Sequence, residues 1–167
     1  IALLASVTGC MSAYVKSVGG ETDSLYGRVF RTDVNTAWTS VQESLKSAEL
    51  DVSNRESGFV QTKWIDNTAQ KNLVDTFGAG NAYLKAQHRF RVSMIKGHFD
   101  GDPAVKIVVQ KEQIVETDAL EGWKTVPSDS IEENTLLYRI GRIIQIRTKI
   151  AQLEEERTRK ELRNFSF

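Results

Sequence analysis

Two short alternating stretches constrain this chain most. In "HRFRVSM" (88–94), Phe90, Val92 and Met94 alternate with Arg89, Arg91 and Ser93. In "AVKIVVQ" (104–110), Val105, Ile107 and Val109 alternate with Lys106, Val108 and Gln110. A period of two is the signature of a strand with one buried face. "HFDGDP" between them carries turn residues, so the two strands are expected to pair antiparallel, with Arg89, Arg91 and Lys106 on a solvent face. Downstream the period changes. Leu136, Leu137, Ile140, Ile143, Ile144 and Ile150 recur at helical spacing, which predicts a helix from about residue 131 to beyond Leu153. Strands with one apolar face, followed by a long helix with one apolar stripe, point to an α+β fold: an antiparallel sheet gripped by a long C-terminal helix.

The rest of the chain fits around that frame. Tyr26 to Phe30 can form a short strand. Asp33 or Asn35 then supplies an N-cap for a helix whose buried face is Val34, Ala37, Trp38, Val41, Leu45 and Ala48. Trp38 reads as a core anchor. "LDVSNRESGFVQTKWID" reads as a hairpin, with Leu50 and Val52 alternating with polar residues and Gly58 in the turn. After that turn Val60, Thr62 and Trp64 are expected on one face, with Phe59, Gln61 and Lys63 on the other. Residues 67–83 form a long connection containing Phe77 and Tyr83, and "DALEGWKTVPSDS" reads as a loop carrying Trp123. Ser128, Asp129 and Ser130 are N-cap candidates for the long helix, where Glu132 and Glu133 suit the helix dipole. Gly141 is expected to let that helix approach the sheet closely.

No catalytic pattern emerges. His88 and His98 lack the spacing of a zinc site, and a single cysteine cannot complete a thiolate ligand set. "GAGN" at 78–81 is not followed by Gly-Lys-Ser/Thr, so it is no phosphate loop, and "DGD" at 100–102 reads as a hairpin tip. No G-x-S-x-G is present. Basic and acidic residues number 22 each, so no global charge draws the chain to nucleic acid. The expectation is a non-enzymatic protein with no catalytic residues, no cofactor, no metal and no nucleic-acid partner.

The start of the chain, "IALLASVTGC", is an apolar run followed by small residues and the only cysteine. It reads as the end of a secretory signal. Val7, Thr8 and Gly9 resemble the lipobox that precedes a lipidated cysteine in bacterial lipoproteins, which makes Cys10 the expected lipidation site and membrane anchor. Met11 rather than Asp after that cysteine favours, by the same resemblance, sorting to the outer membrane, with the domain facing the periplasm. The resulting organisation is a signal remnant at 1–9, a lipidated cysteine and flexible tether at 10–24, the α+β domain at 25–150, and a charged helical extension at 151–167.

Taken together, "VNTAWTSVQESLKSAELDV", "RESGFVQTKW", "HRFRVSM" and "ENTLLYRI" resemble the helix-grip domain of BamC-type lipoproteins of the outer-membrane β-barrel assembly machinery. The likeness covers roughly residues 26–147. That family typically has two such domains behind a long N-terminal segment, whereas these residues read as one such domain behind a short tether. The resemblance implies an accessory or scaffold subunit that works by binding other envelope proteins. Phe77, Tyr83, Trp123, Leu153 and Leu162 are the candidate contact residues. A subunit of a secretion, pilus or flagellar envelope complex, or a periplasmic small-ligand or lipid-binding module, stays open as an alternative.

Overall fold

The computed structural model describes residues 26–68 and 84–165. The order is β1 (Gly27–Arg31), α1 (Val34–Ser44), β2 (Leu50–Asn54), β3 (Phe59–Thr62), β4 (Ile65–Asp66), β5 (Lys85–Phe99), β6 (Asp102–Glu116), β7 (Trp123–Val126) and α2 (Ile131–Phe165). All strands belong to one antiparallel sheet. Its spine is β1-β6-β5-β3-β2, with β4 adding to β5 beyond β3 and β7 adding to β6 beyond β1.

The two alternating stretches form the β5–β6 hairpin, paired from Lys85–Glu116 down to Phe99–Asp102. That register leaves a two-residue turn, Asp100 and Gly101, both at positive φ (53° and 86°). This is the backbone that two-residue hairpins need for the strand twist to continue, and Asp-Gly supplies it cheaply. Gly58 fills a comparable role in the β2–β3 turn. Its φ is +66°, and a β-carbon there would sit 2.5 Å from the carbonyl oxygen of Met94.

Both helices lie on one face of the sheet. Asp33 caps α1 by accepting from the backbone N–H groups of Asn35 (2.8 Å) and Thr36 (2.9 Å). Ala37, Trp38, Val41 and Leu45 of α1 meet Leu136, Leu137, Ile140 and Ile144 of α2 over Val60, Val92, Met94, Val105, Ile107 and Val109, with Phe90 partly buried at the margin. Burying these apolar faces is the main force that joins the layers. Gly141 lets α2 rest on β1, since a β-carbon there would come within 2.9 Å of the Phe30 ring.

Four expectations need correction. Val52 does not share a face with Leu50, because a register shift between them sets Leu50 opposite Thr62 and Val52 opposite Gln61. Trp64 does not join Val60 and Thr62. Between the Gln61–Arg91 and Ile65–His88 pairs lie three residues on one strand and two on the other, a β-bulge. One extra residue reverses the parity of the strand and turns Trp64 to the outer face. Trp123 lies in strand β7, opposite Glu116, rather than in a loop. The predicted helix stripe also stops early: Ile144 is buried, but Ile150 is half exposed.

Candidate functional site

The sheet has two faces with different chemistry. The inner face is apolar beneath the helices and turns polar at the end where α2 begins. There Lys111, next along β6 after Val109 on the same face, extends its ammonium to Glu132 Oε1 (2.9 Å), with a side chain only 2% exposed. The neighbouring Glu133 is 1% exposed. It accepts from the backbone N–H of Lys111 (3.3 Å) and the hydroxyl of Ser128 (3.0 Å). Helix dipole alone therefore does not account for this acidic pair, because β6 reaches up and ties down the first turn of α2. Oxygens of Asp129, Glu132 and Glu133 lie within 4.8 Å of one another, a metal-ligand spacing, but the Lys111 ammonium already supplies a cation to this group.

His88 and Asn67 complete this polar end. His88 is buried edge-on against Phe90, with ring centroids 5.4 Å apart. Burial, aided by the positive charge of Lys111, holds its pKa below the ordinary imidazole value, so it is neutral at pH 7. Its Nδ1, both side-chain polar atoms of Asn67 and Glu132 Oε2 are buried and find no hydrogen-bond partner among the described residues.

The outer face is not covered by either helix. Period-two alternation sends Arg89, Arg91 and Glu112 there, and Glu112 bridges the two arginines through Arg89 Nε and Arg91 Nη1, each at 2.6 Å. Burial works against ionisation of Glu112, but the hydrogen bonds from Arg89 and Arg91 outweigh it and hold its pKa below the usual carboxylate range. The like charges expected to face solvent side by side are thus bridged by one acid from the facing strand, which leaves the cluster one positive charge in excess. Each arginine also stacks on an aromatic ring: Arg89 lies 4.5 Å from the centroid of Trp64, and Arg91 lies 5.7 Å from that of Phe59. The bulge makes the Trp64 stack possible. Across β6, Trp123 takes the outer-face parity of Glu116, which also holds Lys85 (3.4 Å). Trp64 and Trp123 are 37% and 42% exposed.

Of the residues expected to bind partners, Trp123 falls on this outer face. Leu153 and Leu162 lie on the exposed half of α2. Nine residues separate them, half a turn off whole helical periods, so they sit on opposite sides of that helix. Phe77, Tyr83, Cys10, Val7, Thr8 and Gly9 lie outside the described residues. Phe59, Trp64, Arg89, Arg91 and Glu112 were not marked as a site by the sequence. The signal available was the Arg89–Arg91 alternation, but its acidic and aromatic partners come from other strands. Neither a protein-family model nor a curated protein matches this chain.

Proposed function

We propose that this chain is a non-enzymatic, lipid-anchored accessory or scaffold subunit of an envelope protein complex, with outer-membrane β-barrel assembly as its machine. The observation that carries the reading is the outer face, which neither helix covers and where, among the described residues, Trp64, Phe59 and Trp123 stand exposed or partly exposed beside the bridged Arg89, Arg91 and Glu112. Tryptophan and arginine are the side chains that dominate binding energy at protein interfaces. Here the arginines are already held by Glu112 and the aromatic rings, so binding costs little side-chain ordering. Cys10 would hold the domain at the membrane and raise its effective concentration toward other anchored subunits.

The test is affinity purification of the lipidated chain from solubilised membranes. A co-purifying envelope protein is expected, retained less by Trp64→Ala and Trp123→Ala than by the parent. Recovery of the chain alone would overturn the reading. The identity of the co-purifying protein separates barrel assembly from a secretion, pilus or flagellar machine. Cys10→Ser should release the protein from the outer-membrane fraction.

A second reading, a small-ligand module, is favoured by the unpartnered buried atoms of Asn67, His88 and Glu132 at the inner polar end. Native mass spectrometry of protein taken directly from cells tests it. A bound molecule lost on His88→Ala or Asn67→Ala would favour this reading, and a mass matching the bare chain would remove it.

A further inference from the structure

Helix α2 runs for 35 residues, yet the last of its buried positions is Ile144. Beyond it Ile146, Ile150 and Leu153 are each half exposed (51%, 50% and 51%). With half-buried Ile143 they follow the three-four-three spacing of a coiled-coil seam. The seam forms one wall of a groove of about 490 Å³, closed on the other side by Thr36 and Glu43 of α1. Isolated leucines on a solvated helix need no explanation, but an aligned seam beside a groove has the shape to receive another helix.

The charges beside the seam specify which helix. Residues 142–149 carry Arg142, Arg147 and Lys149 and no acid, whereas 154–156 are all glutamate. Arg147 and Glu154 occupy one flank of the seam, and Lys149 and Glu156 the other. A second α2 laid antiparallel, with the two-fold axis between Ile150 and Leu153, stacks Ile150 on the partner's Leu153 and the reverse. It also sets Arg147 against the partner's Glu154 and Lys149 against the partner's Glu156, each pair occurring twice by symmetry. The stems of Arg157 and Lys160 then cover Ile146 and Ile143. A parallel arrangement keeps one attractive flank pair, Lys149 with the partner's Glu154, but sets Arg142 against Arg147 and Glu156 against Glu161, whereas the antiparallel one has two attractive pairs against a single repulsive one, Arg142 with the partner's Arg163. Within the chain Arg147 pairs with Glu43, Arg159 with Glu155 and Arg157 with Glu161. Among the described residues, the side chains of Lys149, Glu154 and Glu156 make no ion pair.

We infer that the chain self-associates as an antiparallel dimer through the Ile146–Ile150–Leu153 seam of α2. The contact spans roughly 27 Å, from Ile143 to Lys160, and leaves the outer face of the sheet free. It does not depend on which machine the protein serves.

The test uses the full chain with Cys10→Ser, which removes the only cysteine. Sedimentation velocity at about 100 μM, the range of a modest protein–protein affinity, should show a dimer. R147E/K149E and E154K/E156K should each weaken dimerisation by about tenfold or more, because reversed charges then face like charges across the axis. Mixing the two variants should restore it, since every flank pair becomes opposite again. Oxidising a mixture of the Arg147→Cys and Glu154→Cys chains should give a covalent dimer. A parent that stays monomeric, a dimer indifferent to both charge reversals, or a mixture that fails to cross-link would overturn the inference. Unchanged thermal unfolding of the variants separates loss of pairing from loss of folding.

Discussion

Single residues set the conditions for the fold at a few positions. Gly58 combines a left-handed backbone with a Met94 carbonyl where a β-carbon would go. Gly58→Ala should destabilise the domain by about 2 kcal/mol, read as a drop in the urea midpoint with unchanged slope. His88 links stability to pH. Its folded pKa lies below the unfolded value because burial and then Lys111 disfavour the imidazolium. The unfolded chain therefore binds the proton first as pH falls. Stability from this group is full above about pH 6.5 and declines as pH drops below it. His88→Gln should flatten the change in unfolding midpoint between pH 7.5 and 5.5, and an equally steep change would assign the slope to another group. Glu112 acts lower on the scale. Its depressed pKa gives stability present above about pH 4.5 and lost as pH falls through the folded value.

At the scale of elements, helix α2 has two halves with different duties. Its first turn is tied to β6 by the buried Lys111 ammonium and by Glu133. Lys111→Met leaves the Glu132 carboxylate without its buried counter-charge, while Glu133 keeps its backbone and Ser128 bonds, and should cost about 3 kcal/mol, measured by denaturant unfolding. Its far end buries nothing in the domain, so deleting the chain from Glu154 onward should change the thermal midpoint little while abolishing self-association. Much of this level was legible in advance. An N-cap at Asp33 or Asn35, the Gly58 turn, the hairpin tip at 100–101 and most of the buried face of each helix follow from local chemistry, although Val34 and Ile150 are exposed and Ala48 lies beyond α1. The faces of Val52 and Trp64 did not, because each depends on an extra residue absorbed by a bulge. A bulge is set by pairing between strands, and no local pattern in β2 or β3 encodes it. Strand β7 was hidden for a related reason: it is a four-residue edge segment defined by the free side of β6.

For the molecule as a whole, alternation in two strands and a helical stripe determined that an antiparallel sheet is covered by a long helix. These periods are properties of the backbone, and burial selects which side they present, so the sequence carries them directly. The sequence also supplied the expectation of a lipidated Cys10 and of an interaction role, which membrane fractionation and co-purification will test. Only the tertiary structure decided what the polar residues do. Arg89 and Arg91 became a held pair because Glu112 comes from the facing strand and Trp64 is turned outward by a bulge. Lys111 became a buried anchor because Glu132 lies across the fold, twenty-one residues away in the chain. Charge and aromatic contacts act at a few ångströms in space. The distances that govern them exist only once the strands are paired and the helices are laid across them.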